Sequence, residues 1–302
     1  MMILINSSDS NYENNNFKYN RYTNVISYEY SLCVPELKIY CDDSNINNNN
    51  KNNDNNDNND YYFIFDSPGS DAFAHWIYES FIFFSYFFNI LKKFPNIKIL
   101  TKNTKKYVKN IFTYFEIKND IVYNVLSTNN ICFFPPVISL NDKKINISLY
   151  NDLLLQYINY IKLNVCYEQN NNILLLPRNT IDNYKYNDRY IANIEDIKKN
   201  ILILGGVVIN TYEMNNIKKQ FDFINNSNII ILDYGSSYLV NCIFLNNKKI
   251  IVLDEKCLSS CQINGYESIK ILHNIISKNN NVLIIKPSQN NKIEFSDINK
   301  YL

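Results

Sequence analysis

The chain has 302 residues, 46% hydrophobic and 15% aromatic, enough at about 150 residues per domain for two buried cores. Its 30 basic and 29 acidic residues leave a formal charge of +1, which argues against a nucleic-acid groove and against an acidic solvating tail. The seven Cys form no C-x-x-C pair, and Cys257 and Cys261 have no histidine near them in sequence. That argues against a structural zinc site or a disulfide framework and fits reduced thiols in a cytoplasmic protein.

Residues 1–6 are too short for the apolar region of a signal peptide. Runs of β-branched and aromatic residues predict strands at 25–30, 37–41 and 61–65. Between the last two lies 45–60, almost purely Asn, Asp and Lys, which cannot bury apolar surface and reads as a disordered insertion. Asn is over-represented throughout, at 56 residues, while Gly numbers 5, Pro 7 and Arg only three: Arg21, Arg178 and Arg189. This bias reflects an A+T-rich genome, such as that of a giant virus or a protist. Arginines and glycines that survive such drift are the first to consider for function.

After the turn cluster at 66–71, the pattern is helical from 72 to about 93. This is the most apolar stretch of the chain. It contains His75 and Glu79, so it reads as a buried helix and not as a membrane span. A short strand at 97–100, a helix at 105–115 and strands at 121–123 and 131–134 follow, then a long apolar helix at 149–163. A polar run near 165–172 suggests a boundary, giving domains 1–165 and 166–302. The second half alternates strands (173–176, 206–209, 228–232, 249–253, 282–285) with helices (194–200, 215–224, 236–245, 266–277). Short apolar strands alternating with helices predict an α/β fold with a parallel sheet, in which ligands bind at the strand C-terminal ends.

Three constellations could carry chemistry. Asp71-x3-His75-Trp76-x2-Glu79 joins a potential cap, Asp71, to an i,i+4 His–Glu pair, and fits either a general base held by a carboxylate or a surface ion pair. Asp233-Tyr234-Gly235-Ser236-Ser237-x3-Asn241 is a strand–turn–helix sequence, suited to an anion or simply to a capped helix start. Pro177-Arg178 and Arg189-x3-Asn193-x-Glu195 place two of the three arginines after a strand, where planar guanidinium suits a phosphate or carboxylate. Asn193, as an N-cap, and Asp196 also read as a capping pair. There is no Walker loop, G-x-G-x-x-G, G-x-S-x-G or H-E-x-x-H motif.

Taken in order, these segments resemble glycosyltransferase family 61, the capsular-polysaccharide-type and O-linked sugar transferases. The matching residues are His75-Trp76-Ile77-Tyr78-Glu79, Leu176-Pro177-Arg178, Arg189 to Glu195, and Tyr234-Gly235-Ser236-Ser237-x3-Asn241-Cys242-Ile243-Phe244. Tyr234 departs from the histidine of many members. The resemblance implies a GT-B fold, two Rossmann-like domains facing across a cleft. It implies inverting, metal-independent transfer from a nucleotide sugar, UDP-linked in the first instance, to a hydroxyl of a glycan or glycoprotein, with no further cofactor. Arg178, Arg189, Asn193, Glu195, Tyr234, Gly235, Ser236, Ser237 and Asn241 would bind the donor. His75, Asp71 and Glu79 compete as base, in that order. A pyruvyl transferase of polysaccharide assembly and a catalytically silent glycan-binding scaffold are the alternative readings.

Overall fold

The computed structural model describes residues 3–5, 24–28, 37–41, 61–64, 73–83, 91, 95–101, 105–122, 131–134, 147–166, 171–178, 191–210, 216–253, 267–288 and 290–302. The insertion expected at 45–60 lies outside them. The chain is α/β and divides into two compact units, Met1–Ser139 and Leu140–Leu302.

The first unit holds a seven-stranded sheet in the order β1-β2-β3-β7-β4-β5-β6. Its strands are β1 Ile3–Ile5, β2 Asn24–Tyr28, β3 Leu37–Cys41, β4 Tyr61–Ile64, β5 Lys98–Leu100, β6 Ile121–Val122 and β7 Ile131–Phe134. β1, β2 and β3 pair antiparallel, and β3 joins β7 antiparallel. The other four are parallel, with β7 beside β4, then β5, then β6. Numbered by their own chain order, those four run 3-2-1-4, the arrangement of a mononucleotide-binding half, and the order reverses between β4 and β7. The antiparallel arm β1–β3 departs from a Rossmann-like domain.

The helix expected over 72–93 takes a different form. A short α1, Phe73–His75, passes into a π-helical turn, Trp76–Ser80, and a 3-10 turn, Phe81–Phe83. Large rings surround this wider turn. Trp76, fully buried, stacks on Phe81 with centroids 5.1 Å apart and meets the edge of Phe112 at 5.6 Å. Phe112 belongs to α2, Lys106–Tyr114, which buries Val108, Ile111 and Phe112 on one face.

The second unit begins with α3, Ile147–Asn164, ahead of the boundary expected at 165/166. Tyr150, Leu153, Leu154, Tyr157, Ile158 and Ile161 form a buried stripe at helical spacing. Its C-terminal end is held within this unit. Lys162 donates to Asn246 at 3.2 Å, and the Cys166 N–H to Asp222 at 2.8 Å.

Five parallel strands follow: β8 Asn171–Leu176, β9 Val207–Val208, β10 Ser227–Asp233, β11 Lys249–Leu253 and β12 Asn281–Ile285. They lie in the order β12-β11-β10-β8-β9, which is 2-1-3-4-5 in their own numbering, the flavodoxin-like doubly wound order. β10 is central, pairing Leu232 with Leu176 on one side and Val252 on the other. Buried from Ile230 through Asp233, it is the continuous apolar run that a strand covered on both faces requires.

The intervening helices are α4 Ile194–Ile203, α5 Ile217–Asn225, α6 Ser236–Cys242 and α7 Glu267–Asn279, with a short α8, Phe295–Asn299, at the end. Asn216 caps α5 through its side chain, accepting the Lys219 N–H at 3.1 Å. α4 closes with the N–H groups of Gly205 and Gly206 bonded to Leu202 O (3.0 Å) and Ile201 O (2.9 Å). One core joins Leu175, Ile197, Ile201, Ile231, Ile251 and Ile298.

The end of α4 meets β8 at Gly206. A Cβ there would lie 2.6 Å from Ile201 Cγ2, 3.0 Å from Ile201 O and 3.2 Å from Ile173 Cβ. Gly206→Ala is therefore expected to destabilise this unit by about 1–3 kcal/mol. Urea unfolding should show a lower midpoint with unchanged slope. A wild-type midpoint would show that α4 moves off the sheet at no cost.

Candidate functional site

In open α/β sheets, ligands bind beyond the strand C-terminal ends where the strand order reverses. In the second unit that place lies between β8 and β10. β8 runs out through Leu176 into Pro177 and Arg178, and β10 ends in Asp233, Tyr234 and Gly235. Two of the three sequence constellations thus meet at one switch point. Asp71 and Arg189 lie outside the described residues.

The two strand ends are tied by a side chain. Asp233 Oδ2 accepts the Arg178 N–H at 2.5 Å. Asp233 is only 4% exposed, and its Oδ1 is shielded from solvent with no hydrogen-bond partner among the described residues. Burial pushes this carboxyl up to about 6. The Arg178 N–H bond and the charges of Arg178 and Lys198 oppose the shift without cancelling it. Asp233 stands in the sequence motif, where spacing alone assigns it no role. The available signal was a carboxylate ending an otherwise apolar strand.

Gly235 follows with φ +124° and ψ −142°, backbone that a residue with a Cβ rarely adopts. Space around it is open, so the requirement is conformational. Gly235, and not a serine, occupies the N-cap of α6, and Ser236 and Ser237 are part-exposed in its first turn. At seven residues α6 is about two turns long, which leaves Arg178 as the stronger anion-attracting element here.

The other expected donor residues have local partners. Tyr234 is buried, its ring 5.7 Å from Tyr238. Asn241 is buried, accepts from Gln220 Nε2 at 2.7 Å and faces Ser237 Oγ at 3.4 Å. Asn193 sits at the N-cap of α4, but its side chain makes no capping bond. Its amide instead donates to Ile293 O at 2.8 Å and accepts the Ile293 N–H at 3.1 Å, stitching the C-terminal segment to the helix. Glu195 is exposed and pairs with Lys198 at 2.6 Å.

In the first unit, His75 follows β4, the strand beside that unit's own reversal of order. Its Nδ1 lies 2.8 Å from Glu79 Oε1. The His75 side chain is 31% exposed and that of Glu79 only 2%, which makes histidine the reachable group and glutamate the buried one. With Glu79 ionised, Nδ1 carries the proton and Nε2 presents a lone pair, the state a general base requires.

The chain's other histidine had no expected role. His273 Nδ1 meets Tyr238 Oη at 2.8 Å, and burial lowers its pKa from the ordinary value. A neutral imidazole accepting from the tyrosine hydroxyl satisfies both groups. Among the described residues, no group of three or more His, Cys, Asp or Glu could hold a metal ion, and no helix is long and apolar enough to cross a membrane. Comparison with known proteins finds no matching family model and no matching curated sequence.

The raised Asp233 carboxyl makes stability depend on pH. Below the unfolded-state value near 3.8, both states hold the proton and its contribution is fully present. As pH rises through about 6, ionisation of the native carboxyl in the interior removes it. The loss should be on the order of 3 kcal/mol between pH 4 and 7. Chemical denaturation across this range should show the decline in wild type and a flatter profile in Asp233→Asn. Equal slopes in the two proteins would refute the assignment.

Proposed function

We propose that the chain is a glycosyltransferase that moves a sugar from a nucleotide-sugar donor, UDP-linked in the first instance, to a hydroxyl of a glycan or glycoprotein. The observation that carries this reading is the convergence of Arg178 and the Gly235 turn at the β8–β10 switch point. These residues come from separate motifs, and the topology gives them one strand-end site. A GT-B arrangement, with the second unit binding the donor and the first supplying the base, is part of the proposal.

In this mechanism the acceptor oxygen attacks the anomeric carbon from the face opposite the leaving diphosphate, inverting the centre. Arg178 and the hydroxyls of Ser236 and Ser237 stabilise the negative charge that accumulates as the C–O bond to the diphosphate breaks. His75 Nε2 takes the acceptor proton, and Glu79 stabilises the imidazolium that forms. Asn241 and Asn193 shape the site through the bonds they make to Gln220 and Ile293. No step requires a metal ion.

The decisive measurement pairs a thermal-shift screen of nucleotides and nucleotide sugars with turnover assays, since a ligand of the native state raises Tm. Arg178→Ala should weaken binding of the best donor by about 1.5–3 kcal/mol. Lys should restore only part, because it lacks the planar fork. His75→Ala should lower turnover roughly 10²–10⁴-fold while donor affinity persists. Wild-type donor binding in Arg178→Ala would refute the donor site, and wild-type turnover in His75→Ala would remove it as base.

A further inference from the structure

The donor reading leaves one group at the switch point without a task. Asp233 bridges β8 and β10 through Oδ2, while its buried Oδ1 has no hydrogen-bond partner among the described residues. Buried polar atoms are nearly always paired, and an orphaned one carries the full cost of its lost hydration. The charges acting on this carboxyl are Arg178, at the end of β8, and Lys198, on α4, both positive. From β11 its register neighbour is Leu253, which carries none.

We propose that Asp233 is the positioning residue of an anion site at the β8–β10 switch point, and that an anion binding to Arg178 there brings a proton from solvent onto Asp233. When ionised, the carboxylate competes with an incoming anion for the field of Arg178 and Lys198. When protonated on Oδ1, it no longer opposes an anion beside Arg178; Lys198, paired with Glu195, contributes less. Oδ2 still accepts the Arg178 N–H, so the strand ends stay tied in either state. The orphaned oxygen is therefore the one free to take the proton. Burial, which already holds this carboxyl near 6, brings the exchange into the neutral range. The inference rests on reading the switch point as an anion site and adds a pH dependence that this reading does not contain.

The probe is sulfate, a dianion throughout pH 5–8, titrated into the intact protein by calorimetry at pH 5.5 and 7.5. Wild-type affinity should fall about five- to twentyfold between the two, the range produced when the anion raises the carboxyl by one to two units. Asp233→Asn should hold one affinity at both pH values. His75→Gln and His273→Gln, which remove the chain's two histidines, should keep the wild-type fall. Should Asp233→Asn not fold, wild type measured at pH 7 in two buffers of different ionisation heat counts the protons taken up, and a substantial fraction of one per sulfate is expected. Sulfate affinity independent of pH, zero proton uptake, or no sulfate binding at either pH overturns the proposal. UDP-glucose is titrated in parallel. If it binds while sulfate shows no pH dependence, only the proton coupling fails. If sulfate shows the coupling and no nucleotide sugar binds, the coupling stands and the donor reading fails.

Discussion

The strand order of the second unit's sheet is built around β10, which is buried from Ile230 to Asp233 and paired on both sides. A strand in that position can carry no polar side chain between Ile229 and Leu232, and its backbone groups must pair on both sides. β8 and β11 supply that pairing in parallel. Because β8 has β9 as its other neighbour, the chain must reverse its direction of travel across the sheet between β8 and β10. The opening at the strand ends is therefore a product of the pairing order, present before any side chain is considered. Asp233 occupies the first position after that apolar run. Its bond to Arg178 N–H replaces a backbone link where the two strands begin to diverge.

Much of this architecture was legible in the sequence. The strands at 37–41, 131–134 and 249–253 have the bounds that their apolar runs suggest, and the alternation of the second half reads directly as parallel α/β. β1 escaped because three residues are too few for a run, and α8 because five residues make little more than one turn. The π-helical turn at Trp76–Ser80 was hidden for a different reason. Periodicity distinguishes helix types only when polar and apolar residues alternate regularly, and around this turn the stretch from Phe73 to Phe83 is mostly apolar. The boundary at 165/166 followed polarity, whereas the stripe of α3 follows packing.

The candidate sites divide along similar lines. Motif spacing located the β8 and β10 ends and the His75–Glu79 pair, because strand ends and helical neighbours are local facts. It did not reveal where Asn193 and Asn241 would spend their amides, since Ile293 and Gln220 lie 100 and 21 residues away. The state of Asp233 was equally hidden. A carboxyl's affinity for a proton depends on the water it has lost, and only the folded chain fixes that.

Asparagine side chains join separate segments of this chain. Asn280 is the clearest case. Its amide donates to Leu245 O and Ile276 O, each at 3.0 Å, and its carbonyl accepts the Lys248 N–H at 3.0 Å. One side chain thus joins the end of α7, the segment after α6 and the approach to β11. Such a staple is chemically perishable. Hydrolysis of the amide to a carboxylate would set an anionic oxygen against two carbonyl oxygens that formerly received hydrogen bonds. Covalent change at this one position would therefore turn a three-way link into a repulsive contact.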